Sequence, residues 1–262
     1  MQRNPDTGPG WLFSRLQRGL RPLLDLVYPP RCAACAVRIP ENSGADFCAD
    51  CAKDLEPVRP PFCATCGEPF SGKLTEPFDC PNCAGHPFDF DFAISAWQST
   101  GPMRKAIHRF KYQRCLHLRL ALARRLHDAL ADPRLAEIQE PAAAENWGIV
   151  PVPLHSRRLR ERGFNQSAEL ARLLARFTGL PCHDALRRTR YTTAQARLDR
   201  KERLANLSGA FTVSRKALTR LDGKNVLLID DVFTTGSTTH ECASVLKKSA
   251  GAARVIVLTV AR

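Results

Sequence analysis

The residues best placed for chemistry are two adjacent carboxylates at the end of an apolar run. Val226, Leu227, Leu228 and Ile229 lead into Asp230 and Asp231, and Thr234, Thr235, Gly236, Ser237 and Thr238 follow in the segment VLLIDDVFTTGST. A short apolar run with β-branched residues reads as an interior parallel strand. Cys242, Val245, Leu246 and Ser249 give the next stretch helical spacing. The turn between them therefore presents hydroxyls and backbone amides at a helix N-terminus, and Gly236 permits a close approach, which is a setting for phosphate oxygens. The acids suit a different role, accepting hydrogen bonds from vicinal sugar hydroxyls or placing hydrated magnesium against phosphates. The whole pattern fits a sugar phosphate with a second phosphate group, held at the carboxyl end of a parallel strand. Neither the GxGxxG pattern of a dinucleotide site nor a Walker A sequence is present. Local helix capping is the plainer role for the two acids.

A second constellation is made of cysteine. Of the 11 cysteines, eight form the pairs Cys32/Cys35, Cys48/Cys51, Cys63/Cys66 and Cys80/Cys83, each a CxxC. Two such knuckles complete a tetrahedron of thiolates around one zinc ion, so the eight predict two structural sites with sequential pairing. Four thiolates leave no open position for an activated water. A framework of four disulfides in an oxidising compartment uses the same eight residues. Cys115, Cys182 and Cys242 lie far away in sequence and read as ordinary helix or core positions.

The net charge of +13 is uneven. Residues 1–90 carry 9 basic and 11 acidic side chains, a charge of −2, whereas residues 91–262 carry 30 and 15, a charge of +15. A phosphate-rich ligand or nucleic acid is drawn to the second portion, although a solvated basic surface accounts for the same charge. Arg157, Arg158, Arg160 and Arg162 concentrate it within LHSRRLRERGFNQ. They either neutralise a polyphosphate or line a solvated loop.

These residues need elements to hold them. Phe92 to Trp97 predicts a strand, and Ile107, Phe110, Leu118, Leu122 and Leu126 predict a long basic amphipathic helix after Gly101, its charged face turned to water. Residues 128–146 read as a surface connection or a short helical excursion. Trp147 to Val152 predicts a strand ending at Pro153. Asn165 then caps a helix with Leu170, Leu173, Leu174 and Phe177 on its inner face, stopped by Gly179 and Pro181. Near the start, Leu12, Leu16, Leu20, Leu23 and Val27 form a helical stripe that ends at Pro29 and Pro30, suited to docking on the protein or lying on a membrane surface. No apolar run approaches the roughly 20 residues of a membrane span. Arginines interrupt what would be a secretory signal, so the cytoplasm is the expected compartment. The expected organisation is an amphipathic helix over 1–28, a double zinc ribbon over 29–90 and an α/β domain over 91–262.

VLLIDDVFTTGST resembles the phosphoribosyl-diphosphate signature of type I phosphoribosyltransferases. The wider resemblance, over approximately residues 20–262, is to the ComF family, a double zinc ribbon followed by a phosphoribosyltransferase domain. It rests on PPRCAAC at Pro29 to Cys35, the later cysteine pairs, FKYQ at Phe110 to Gln113, PVPLHSRRLRERGFNQ at Pro151 to Gln166 and the signature itself. The resemblance implies a parallel sheet flanked by helices, Asp230 and Asp231 on the ribose hydroxyls, and Thr234 to Thr238 around the ribose 5-phosphate. It puts Pro151, Val152 and Pro153 near the pyrophosphate, with Arg162, Gly163, Asn165 and Gln166 on a neighbouring loop. Arg190, Thr193, Gln195, Arg203 and Asn206 match a ComF stretch whose best assignment is an active-site cover. The implied ligand is phosphoribosyl diphosphate with magnesium, and the implied reaction is phosphoribosyl transfer to an unidentified acceptor, with Asp230, Asp231 and Arg162 at its centre. Competence and DNA uptake are the implied context, with single-stranded DNA and DNA-uptake proteins as partners. The alternative is an accessory protein that handles single-stranded DNA and uses the site for binding or regulation alone.

Overall fold

The computed structural model describes residues 29–40, 43–70, 72, 80–85, 87–140, 144–191, 207 and 209–262. The amphipathic stretch expected over 1–28, and Thr193, Gln195, Arg203 and Asn206, lie outside the described residues.

Four parallel strands form the central sheet: β1 (Phe92–Trp97), β2 (Trp147–Pro151), β5 (Asn225–Val232) and β6 (Arg254–Ala261), in the order β1-β6-β5-β2. β5 pairs with β2 through Ile149↔Leu227 and with β6 through Leu227↔Ile256, so it is an interior strand. Both of its faces are covered, which is why its sequence runs apolar without alternating. Leu227 and Ile229 enter one core, with α2 (Gly101–Tyr112), α3 (Arg119–His127) and α5 (Gln166–Thr178). Val226 and Leu228 enter the other, with α6 (Arg215–Leu221) and α7 (Ser237–Ala250). A short antiparallel pair, β3 (Leu186–Arg188) with β4 (Phe211–Val213), stands beside the second core. No helix among the described residues is long and apolar enough to cross a membrane.

The cysteine module is built into both cores. Cys32, Ala33, Ile39 and Phe47 join the first, and Cys63, Cys66, Cys80 and Cys83 join the second. A five-residue helix, α1 (Ala49–Lys53), begins at Cys48. The two opening knuckles share one backbone form: Cys32 N donates to Val37 O and Cys63 N to Glu68 O, with Ala36 and Gly67 at φ 63° and 71°.

Two expectations need correction, and a choice left open is decided. The amphipathic segment after Gly101 is two helices, because Arg114 takes φ 54° and a 3₁₀ turn over Leu116–Leu118 intervenes before the second begins. Of the two forms expected after residue 128, the short helical excursion is the one found: 3₁₀ turns over Asp128–Ala131 and Pro133–Gln139 bury Leu135 and Ile138, and Arg134 grips Asp132 with two hydrogen bonds of 2.8 and 2.9 Å. Phe177 is 41% exposed, at the edge of the face buried by Leu170 and Leu174.

Candidate phosphate site and metal centres

Each cysteine set gathers its four sulfurs within 4.8 Å of one another, Cys32/35/48/51 in one and Cys63/66/80/83 in the other. Sulfurs about 2.3 Å from a common zinc ion lie roughly 3.8 Å apart. The observed separations are 3.7 Å for Cys35–Cys48, 3.6 Å for Cys66–Cys80 and 3.7 Å for Cys80–Cys83. All eight thiols are free, so the disulfide alternative falls and sequential pairing holds. The donor chemistry fits a cation as well. Burial raises Cys32, but backbone amides outweigh it and draw the thiol down to about 6, whereas burial and its sulfur neighbours hold Cys51 and Cys83 far up. Four crowded thiols cannot all ionise alone, and a divalent ion removes that conflict.

The other site gathers at the carboxyl ends of β2 and β5. Val152 N donates to Ile229 O at 2.9 Å, which lays the Pro151–Pro153 turn beside the last residues of β5. Asn165 fixes the turn from the other side. Its Oδ1 caps α5 through Ser167 N and Ala168 N, and its Nδ2 donates to Val152 O at 3.0 Å. The predicted cap thus also clamps the turn.

Alternation along β5 separates the two acids. Asp230 follows the parity of Val226 and Leu228, and Asp231 that of Leu227 and Ile229. Asp230 Oδ1 accepts from Ser167 Oγ and from Asp231 N, both at 2.9 Å. Burial, then the neighbouring Asp231 charge, pushes the Asp230 carboxyl up to about 6. Asp231 is 3% exposed and pairs with Lys111 Nζ at 2.8 Å, while its Oδ2 has no hydrogen-bond partner among the described residues. Burial opposes the Lys111 charge, but Asp231 outweighs it and holds the ammonium above the ordinary lysine value.

After β5 the chain turns through Phe233 and Thr234 to Gly236, which caps α7 with φ 75°; no side chain caps that helix. Ser237 is buried and Thr235 and Thr238 are half-buried, with Thr235 Oγ1 3.0 Å from Ser237 Oγ. A Cβ at Gly236 would stand 2.8 Å from the rings of both Phe233 and Phe88, so glycine is required by space as well as by φ. Phe88 stacks on Phe90 at 4.4 Å, and Asp89 N donates to His240 Nδ1 at 2.9 Å. The second cysteine set adjoins the same turn, with a cleft between Cys66, Cys83 and Phe88 on one wall and Phe233, Thr234 and Thr235 on the other. Arg262 crosses that junction, donating to Cys66 O and pairing with Glu68, its guanidinium 5.3 Å from the Phe233 ring centroid.

The structure therefore brings together Asp230, Asp231, Pro151, Val152 and Asn165 about the strand ends, with Thr234 to Thr238 on the following turn. Arg162 lies at the carboxyl end of α4 (Ser156–Arg162), in a pocket with Lys111, Tyr112, Arg114 and Arg158. Sequence reasoning misses three neighbours. The amphipathic pattern turns Lys111 to water, although its place beside the core residue Phe110 in FKYQ is a usable signal. Ser167, one residue beyond the matched loop, and Phe88, in the link after the last cysteine pair, give no signal of their own.

Residues 23–85 match the double zinc ribbon domain and residues 161–262 the phosphoribosyl transferase domain. "Competence protein F" of Haemophilus influenzae is 31% identical over 222 residues, 83% of this chain and 91% of that one. The chain belongs to the ComF family. "DNA utilization protein YhgH" of Escherichia coli K12 is 32% identical over 242 residues, 90% of this ComF chain and 99% of the relative. "Competence protein ComFC" of Bacillus subtilis is 27% identical over 221 residues, 82% and 83% of the two chains. The parallel sheet, its flanking helices and the preceding zinc-binding module are those of this ComF architecture.

Proposed function

We propose that this chain binds phosphoribosyl diphosphate with magnesium and transfers the phosphoribosyl group to an acceptor, releasing pyrophosphate. The observation that carries the reading is the pairing at the end of β5: two carboxylates on the last strand residues, followed at once by a glycine-pinned turn into an uncapped helix. Asp230 and Asp231 take the ribose hydroxyls, and Thr234 to Thr238 take the 5-phosphate. Direct chelation of magnesium by both acids fits poorly, because Lys111 already places an ammonium 2.8 Å from Asp231. Magnesium belongs on the phosphates, through water where it meets the acids. As the bond at C1 loosens, negative charge gathers on the departing diphosphate, where Arg162 and the Pro151–Pro153 turn support it.

The same site without transfer is the second reading, favoured by relatives whose names concern competence and DNA utilisation and by the +15 charge of residues 91–262. In it the chain is a DNA-uptake accessory that binds single-stranded DNA and uses phosphoribosyl diphosphate as a regulatory ligand. Pyrophosphate release, followed with magnesium across bases, nucleosides and single-stranded DNA, decides between them. Release with one acceptor supports transfer. Binding with no release across the panel supports the accessory role.

A further inference from the structure

Asp231 is engaged before any sugar arrives. Its Oδ1 faces Lys111 Nζ at 2.8 Å and its buried Oδ2 has no hydrogen-bond partner among the described residues. The Lys111 side chain, 19% exposed, stands between two environments. On one side is the acidic pair, and on the other is the pocket it shares with Tyr112, Arg114, Arg158, Glu161 and Arg162. Three guanidiniums and an ammonium line that pocket against one carboxylate, and Glu161 is already taken up locally: its Oε1 accepts from Arg157 Nε at 3.2 Å and its carbonyl from Arg114 Nη2 at 2.9 Å. An excess of positive charge in a concave surface favours an anion. Lysine is a compact charge on a flexible stem, suited to leaving one anion for another.

We infer that Lys111 is a hand-over residue: it neutralises Asp231 in the ligand-free chain and turns its ammonium to a diphosphate entering the arginine pocket, releasing Asp231 Oδ1 to a ribose hydroxyl. This rests on the reading of the site as one for phosphoribosyl diphosphate. It adds a source of selectivity. A sugar phosphate lacking the diphosphate must compete with Lys111 for Asp231, whereas the full ligand supplies the anion that draws the lysine away. Recognition of the two halves is thereby coupled, and such coupling is reciprocal.

The test compares calorimetric affinities for phosphoribosyl diphosphate and for ribose 5-phosphate, both with magnesium at pH 8, in the wild type, Lys111→Met, Lys111→Arg and Arg158→Ala. The expected result is that Lys111→Met weakens phosphoribosyl diphosphate on the order of tenfold and leaves ribose 5-phosphate unchanged or tighter. Lys111→Arg restores part of the difference, and Arg158→Ala weakens the diphosphate ligand alone. Equal weakening of both ligands by Lys111→Met makes the lysine only a structural partner of Asp231 and overturns the hand-over, while the site reading stands. A wild type that binds neither compound overturns both. Should Lys111→Met fail to fold, the other two variants carry the same comparison, and equal losses for both ligands in each refute it.

Discussion

The two cysteine ribbons repeat one sequence plan and stand in different places. The first, Cys32/35/48/51, lies against α2 and α3. Arg109 of α2 donates to Cys32 O and Ala33 O at 3.0 and 2.8 Å, and Arg124 of α3 pairs with Asp46 at 2.7 Å. Its sulfurs come from one buried, two half-buried and one exposed residue. The second, Cys63/66/80/83, has all four residues buried and adjoins the turn between β5 and α7 through Phe88, Phe233 and Arg262. Spacing thus specifies the metal knuckle, while the residues just outside it decide what the knuckle supports. The first ribbon braces helices; the second walls the turn between β5 and α7.

Metal loss should separate the two most sharply. Structural zinc in small modules is worth about 10–16 kcal/mol against a domain stability of about 5–15 kcal/mol, so Cys80→Ser is expected to lose one metal equivalent and to unfold the second ribbon, with loss of ligand binding. Cys35→Ser also loses one equivalent, with a smaller fall in melting temperature and the turn before α7 retained. Metal analysis with thermal unfolding and ligand binding checks both, and equal loss of binding would erase the distinction.

Gly236→Ala tests the wall itself. Its Cβ meets two rings at 2.8 Å from a φ of 75°, so ligand affinity should fall at least about tenfold and stability by about 1–3 kcal/mol. Adding Phe88→Ala relieves one of the two contacts and should recover part of the loss, a coupling that a double-mutant cycle measures.

Asp230 offers a pH-dependent test of comparable size and opposite sign in stability. Its folded value of about 6 exceeds the ordinary 3.8, so the folded chain binds more protons than the unfolded chain between about pH 4 and 6. Stability from this group therefore falls as pH rises through that window. Asp230→Asn keeps the acceptor for Ser167 and Asp231 N, and should stabilise the fold by about 1–3 kcal/mol at pH 7 while weakening sugar binding. A denaturation series from pH 4 to 8 gives the answer, and an unchanged pH profile in Asp230→Asn counts against it.

The smallest effect on ligand affinity is expected at the first ribbon's brace. Arg109→Ala removes two hydrogen bonds to carbonyls and should lower stability by about 1–3 kcal/mol, with ligand affinity changing less than about twofold. A larger change in affinity would mean that the first ribbon also shapes the site.

How far the sequence discloses this arrangement follows from the range of each interaction. The interior strand at Val226 to Ile229, the cap at Asn165 and both cysteine sets are legible, because periodicity, capping chemistry and ligand spacing are local. The Lys111–Asp231 pair joins residues far apart in sequence, and so does the packing of Phe88 against the Gly236 turn; no local pattern encodes either contact. The break at Arg114 escapes detection because a positive φ at a non-glycine residue leaves no mark in the apolar spacing on either side. Burial of Leu135 and Ile138 is hidden by the alanine- and proline-rich composition around them.

Recognition of the ribose of phosphoribosyl diphosphate by the acidic pair stands or falls on one affinity. Calorimetry gives it, with magnesium present, for the wild type and for Asp230→Asn plus Asp231→Asn, with metal content and melting temperature measured alongside. Binding by the wild type and a loss on the order of a hundredfold in the folded, zinc-loaded double variant is the predicted result. Undiminished binding by that variant would contradict it.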